Sequence, residues 1–119
     1  MRHIRPLTTG HWPLSTDALS NTTNYTLDNW NRVTTVDYPT GTDPNYSYDA
    51  NSNMTGWTDA NGTWARTYDN DNRMLTESLG GATQLTHTYD ATGKKGLLST
   101  TVDANSRTIT YSYNSRNLV

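Results

Sequence analysis

The sequence predicts an all-β chain of consecutive antiparallel β-hairpins that form an open, twisted sheet. Three observations carry this prediction. First, Tyr followed by Asp recurs as Tyr48 and Asp49, Tyr68 and Asp69, and Tyr89 and Asp90, with degenerate copies at Leu27 and Asp28 and at Tyr113 and Asn114. From Asp28 the successive steps to Asp49, Asp69, Asp90 and Asn114 are 21, 20, 21 and 24 residues, a period that belongs to a repeat array. Second, three places after these positions stand Asn31, Ser52, Asn72, Gly93 and Asn117, and the same offset joins Asp59 to Gly62 and Asp103 to Ser106. Asp at the start of a turn accepts a hydrogen bond from the backbone two residues on, while Gly or Asn tolerates the positive φ of a reversal. Ser52 and Ser106 are therefore expected to be the strained or looser copies. Third, side chains alternate along the intervening runs. Trp64, Arg66 and Tyr68 share one face, as do Leu85, His87 and Tyr89, and Ile109, Tyr111 and Tyr113, whereas Thr67, Thr86, Thr88, Thr108 and Thr110 fall on the other.

Residues 1–23 carry no repeat, and Pro6, Gly10, Pro13 and the polar run from Ser20 to Asn24 act as breakers, so an irregular lead-in is expected there. Residues 24–119 form the array. Strands are predicted at 24–28, 32–37, 46–49, 53–58, 63–69, 73–78, 83–89, 97–102 and 107–113, with turn signals at hairpin spacing between them. Pro39, Gly41 and Pro44 disfavour central pairing and predict a longer connection. Lys94, Lys95 and Gly96 lengthen the turn after Asp90 and account for the 24-residue step.

Composition sets the kind of core. Leu, Ile and Val number only 16 in 119 residues and Phe is absent, but the net charge of −2 lacks the excess that marks a disordered chain. Eight Tyr and four Trp replace the aliphatics, so the packed side of the sheet is expected to be aromatic. Twenty-three Thr suit a pleated, half-wetted surface. Nine basic residues scattered through the chain give no footprint for duplex nucleic acid, and no apolar run reaches membrane-spanning length. The absence of Cys excludes disulfides and thiolate metal sites, and the first 20 residues lack the apolar core of a signal peptide.

These motifs resemble the YD-repeat, or rearrangement-hotspot (RHS), family, whose repeat reads approximately Tyr, Asp, two free positions, Gly, Arg, a strand, Asp, two free positions, Gly and another strand. Tyr68, Asp69, Asn72 and Arg73 match the first half, Asp59, Ala60, Asn61 and Gly62 the second, and about four repeats cover residues 24–119. The resemblance implies a β-ribbon that coils into a secreted or cell-surface shell, in bacteria one that encloses a toxin polypeptide. So short a run cannot close a shell, and it is expected to be a segment with flanking repeats as partners. Asp43, Pro44 and Asn45 do not reproduce the Asp-Pro-Gly motif that ends the bacterial core, so no self-cleavage is carried over.

The candidate chemistry is weighed against turn formation. Asp28, Asp49, Asp59, Asp69, Asp90 and Asp103, with Gly62 and Gly93, are assigned to turns, because a catalytic carboxylate pair is singular and these recur. Glu77 is expected at an exposed strand position, and His87 as a packed residue. Asp49, Asn51 and Asn53 imitate the start of a calcium loop, but Met54 and Ala60 stand where its Gly and Glu belong. The scattered His3, His11 and His87 make no metal cluster or triad. No enzyme activity, metal or cofactor is therefore expected. The alternative to a shell wall is a carbohydrate-binding or adhesion module for a cell-surface glycan, with Trp57, Trp64 and Tyr68 as stacking platforms.

Overall fold

The computed structural model describes residues 11–16, 18–19, 21–91 and 93–116, the first five of these by backbone alone. His3, Pro6, Gly10 and Ser20 of the lead-in, together with Asn117 and Leu118 of the final turn, lie outside the described residues. Within them, ten strands follow one another in chain order across a single sheet: β1 (His11–Thr16), β2 (Thr22–Leu27), β3 (Val33–Asp37), β4 (Asn45–Tyr48), β5 (Met54–Asp59), β6 (Gly62–Tyr68), β7 (Met74–Leu79), β8 (Ala82–Ala91), β9 (Lys94–Asp103) and β10 (Thr108–Thr110). Every neighbouring pair is antiparallel.

All nine expected strands are present, and a tenth corrects the reading of residues 1–23 as irregular. His11–Thr16 pairs with β2 despite Pro13, with a bulge between Pro13 and Ser15. A proline is tolerated there because β1 is an edge strand and one row of its N–H groups has no ladder partner to lose. The connection from Tyr38 to Pro44 is the long loop expected, closed by the Tyr38 N–H on Asp43 Oδ1 at 2.9 Å and opened to a positive φ of 105° at Gly41.

A second correction concerns Asp90. It was expected to start a turn lengthened by Lys94, Lys95 and Gly96. Instead β8 runs on to Ala91, which pairs with Lys94, so the extra residues lengthen the hairpin rather than the loop. Asp90 itself takes a φ of 64°, and its Oδ1 accepts the Gly96 N–H across the strands at 2.8 Å. Extending the ladder satisfies backbone groups that a larger loop would leave to solvent.

Register puts the two faces where alternation predicted. Tyr46, Trp57, Trp64 and Leu79 lie opposite one another across four strands. The reverse face carries the row Thr67, Thr76, Thr86, Val102 and Thr108. Hydroxyls on that face bond to each other in pairs, Thr67 with Thr76 and Thr88 with Thr100, each at 2.6 Å. These four hydroxyls are thus satisfied in an exposed setting.

The aromatic face is another matter, since this is a single layer. Val36 and Ala91 are the buried hydrophobic residues among those described, and no side chain is fully enclosed. The radius of gyration is 19.9 Å, against about 13.5 Å for a compact domain of this length. The accessible surface of 8915 Å² likewise exceeds the roughly 6,400 Å² of a compact monomer of this mass. A hydrophobic sheet face is stable when a second layer covers it. Among the described residues there is no second layer.

Candidate functional site

One edge of the sheet is built from the repeated turn. In the Asp28, Asp49 and Asp69 copies the Asp carbonyl accepts the N–H three residues on, the Asp N–H bonds back to the carbonyl four residues on, and the residue between is left-handed: Asn31 at φ 59°, Ser52 at 67° and Asn72 at 61°. This is a type I turn followed by a left-handed bulge residue, the usual three-residue hairpin loop. Oδ1 of each Asp accepts the N–H groups two and four residues on at 2.8 to 3.0 Å, and Oδ2 takes the side chain of the fourth residue, Arg32, Asn53 or Arg73. Asp103, on the opposite edge, repeats the arrangement with Arg107 and with Ser106 at φ 62°. Asp59 caps a tighter loop on that same edge, accepting the Asn61 N–H at 2.8 Å, with Gly62 at φ 134°.

Successive repeats are stitched by the Tyr of each pair. Tyr48 donates its hydroxyl to the Val33 carbonyl, Tyr68 to Met54, Tyr89 to Met74 and Tyr113 to Leu98, at 2.8 to 3.0 Å. Each acceptor lies beside a bulge in the preceding hairpin, where the register shifts between Thr26 and Leu27, Ser47 and Tyr48, Thr67 and Tyr68, and Thr88 and Tyr89. A bulge withdraws a carbonyl from the ladder, and the next tyrosine supplies the missing donor. The Arg of the turn then covers the ring: the Arg32 guanidinium lies 4.6 Å from the centroid of Tyr48, and Arg73 4.4 Å from Tyr89. Sequence reasoning missed these acceptors, although the near-constant interval of 14 or 15 residues between carbonyl and tyrosine was a signal for them.

The carboxylates hold their protons weakly. For Asp69, Asp90 and Asp103 the leading cause is a backbone N–H, from Arg73, Gly96 and Arg107 respectively, and for Asp49 it is the Asn53 amide. At Asp28 desolvation opposes ionisation, but the Arg32 N–H and guanidinium outweigh it. Asp59 is lowered first by the Asn61 N–H and further by the neighbouring indoles of Trp57 and Trp64. Trp64 Nε1 makes no hydrogen bond of ordinary geometry, so that last contribution is one of proximity to the carboxylate. Asp69, Asp71 and Asp90 all converge on Arg73, at 2.7, 3.6 and 3.6 Å, so a single positive charge partly offsets three negative ones in a structural cluster. The pKa of Arg73 is raised in return, chiefly by the hydrogen bond to Asp69.

The aromatic face carries one large hollow, of about 740 Å³, between the Tyr38–Pro44 loop and the sheet. Tyr38, Tyr46, Trp57 and Met54 supply apolar wall, and Asp59 and Arg66 the charged groups. Of the three expected stacking residues, Trp57 lines it. Trp64 lies behind, stacked on Trp57 at a centroid distance of 5.2 Å and nearly parallel, and Tyr68 is absent from the lining, its hydroxyl committed to Met54. The Arg66 guanidinium also sits over the Trp57 ring, at 4.6 Å, so part of that stacking surface is used within the protein. Glu77, expected at an exposed position, is a correction: it is half-buried and paired with Arg66 at 2.7 Å. A cross-strand partner explains this, since Arg66 and Glu77 are directly opposed. His87 is half-buried as expected, with Nδ1 2.9 Å from the Thr101 hydroxyl. The described residues hold no group of three metal-ligating side chains. No helix among them is long and apolar enough to cross a membrane.

No family model matches this chain, and no curated protein sequence is significantly similar to it.

Proposed function

We propose that this chain is a non-enzymatic structural module, a run of YD-repeat sheet forming part of the wall of a secreted or cell-surface β-shell that encloses a toxin or other polypeptide. The observation that carries the reading is a ten-stranded single layer whose aromatic face is only half-buried, set against a reverse face on which Thr67 with Thr76 and Thr88 with Thr100 pair their hydroxyls. A wall with one satisfied side and one apolar side supports enclosure: the wet side faces solvent and the aromatic side faces contents or a second layer. The Tyr and Arg stitches support the same reading, because they make each repeat depend on its neighbour and let the ribbon extend without limit.

The test is the coding sequence on either side of this segment together with the behaviour of the longer product. The expected result is continuation of the 20- to 21-residue period, and a co-expressed polypeptide that resists added protease until the shell is denatured. A stop after Val119 with a stable monomer in solution overturns the reading.

The hollow beside Trp57 favours a second reading, a carbohydrate-binding or adhesion module. Its mixture of indole, tyrosine and one ion-paired arginine suits a sugar ring. A glycan array separates the two: a wall segment gives no saturable binding, whereas a lectin-like sheet binds and loses binding in Trp57→Ala.

A further inference from the structure

Of the six turn carboxylates, five have a cation beside them. Asp28, Asp69 and Asp103 pair with the arginine four residues on, and Asp90 lies 3.6 Å from Arg73. Asp49 is held beside Arg32, whose guanidinium bonds to the Asp49 carbonyl at 2.8 Å. Asp59 differs. Among the described residues no Lys, Arg or His side chain pairs with it, and its neighbours are the Asn61 N–H and the indoles of Trp57 and Trp64. This carboxylate without a counter-ion is also the one that lines the hollow of about 740 Å³ on the aromatic face.

The hollow lies in the middle of the sheet, away from either edge strand. Tyr46 comes from β4, Trp57 and Asp59 from β5, Arg66 from β6, and Tyr38 from the loop that walls one side. Its arginine is already engaged. Arg66 Nε and a terminal nitrogen both donate to Glu77 Oε2, at 2.8 and 2.7 Å, and the guanidinium lies over the Trp57 ring. With two carboxylates, Asp59 and Glu77, against one guanidinium, the group keeps one negative charge in excess. Among the described residues no guanidinium lies over the ring of Tyr38 or Tyr46, so both rings are left to the hollow. Ring faces attract a cation through their quadrupole, and the carboxylate attracts it through its charge. A divalent metal ion wants several oxygen ligands, and the described residues gather no group of three ligating side chains. An ammonium that carries methyl groups suits both walls, because its charge is weakly hydrated and its methyls bury against the rings.

We propose that this hollow binds a small alkylated ammonium ion of the choline type, with its methyl groups against Tyr38, Tyr46 and Trp57 and its charge toward Asp59. The volume is that of a small-molecule site. The inference goes beyond both readings of the chain given above and depends on neither, since a shell wall and an adhesion module can each carry such a site.

The experiment titrates choline into the full chain and follows the nuclear magnetic resonance shifts of the Met54 methyl and the Trp57 indole N–H, both in the lining. The expected result is saturation with a Kd of about 0.1 to 10 mM, and binding at least about tenfold weaker for the neutral analogue in which carbon replaces the nitrogen. Asp59→Asn keeps the side-chain oxygen that caps the turn and removes the charge, and should weaken choline by about tenfold. Tyr38→Leu changes an exposed loop residue, keeps apolar bulk without the quadrupole, and should weaken choline by about threefold. Equal binding of choline and its neutral analogue, unchanged affinity in Asp59→Asn, or no saturation overturns the proposal. Tighter binding of N-acetylglucosamine than of choline also overturns it and returns the hollow to the sugar reading. Capture on phosphatidylcholine vesicles without binding of free choline overturns the small soluble ligand in favour of a lipid headgroup. The wall reading survives each of these results, because it fails instead on the coding sequence.

Discussion

Tyr68 illustrates what single side chains contribute here. Its ring belongs to the aromatic face, but its hydroxyl satisfies the Met54 carbonyl of the preceding hairpin. Tyr68→Phe keeps the ring and removes one hydrogen bond, and should lower stability by about 1 kcal/mol in urea unfolding; an unchanged midpoint would show that water replaces the hydroxyl. The turn carboxylates set the acid limit. All six have folded-state pKa values below the ordinary one. The unfolded chain therefore binds more protons on acidification, so their contribution is complete above about pH 4 and is lost as pH falls through the lower folded values. Tyr89 acts at the other end, because desolvation raises its pKa and the neutral hydroxyl is the one that bonds to Met74. Its contribution is present below about pH 10 and is lost above it. Thermal melts from pH 2 to 11 should fall at both ends; a midpoint unchanged between pH 5 and pH 2 would contradict the carboxylate assignment.

Hairpins are the elements, and their turns respond differently to the same kind of substitution. Ser52 and Ser106 sit at φ 67° and 62°, where a side chain without the amide of Asn is strained. Ser52→Gly and Ser106→Gly should each raise stability by about 1 kcal/mol, while Asn72→Ala should lower it by a similar amount, as measured by unfolding midpoints. Gly56 serves another purpose. A Cβ there would lie 2.9 Å from Ser47 Oγ and 3.1 Å from the Trp64 carbonyl, and the backbone atom has little freedom to retreat. Gly56→Ala should therefore cost about 1 to 3 kcal/mol and loosen the β5–β6 pair, visible as faster amide exchange in Gly62–Tyr68. Most turns were legible because Asp and Asn act on their own backbone within four residues. The hairpin beyond Asp90 was not, since three inserted residues can enlarge a loop or extend two strands, and only cross-strand pairing chooses between them.

At the scale of the molecule, the chain extends 65 Å along its longest axis, and its described residues form a single layer. The half-exposed aromatic face should bind 8-anilinonaphthalene-1-sulfonate in the native state, and the open edges should promote association as concentration rises. A dye-silent monomer at high concentration would show that the face is covered in solution. The large hollow was less legible than the sheet itself. Trp57 was identifiable as an aromatic strand residue, but Tyr38 and the loop that closes the hollow lie some twenty residues away in sequence.

The residue order alone determined the hairpin array, the two faces and the chemistry of the repeated turns, because those depend on interactions spanning a few residues and on a period of two along each strand. Which ring covers which guanidinium, the Arg66 and Glu77 pair and the edge strand around Pro13 were decided only in the folded sheet. Each of these depends on strand register and on what lies across the ladder, and neither is encoded within a single repeat.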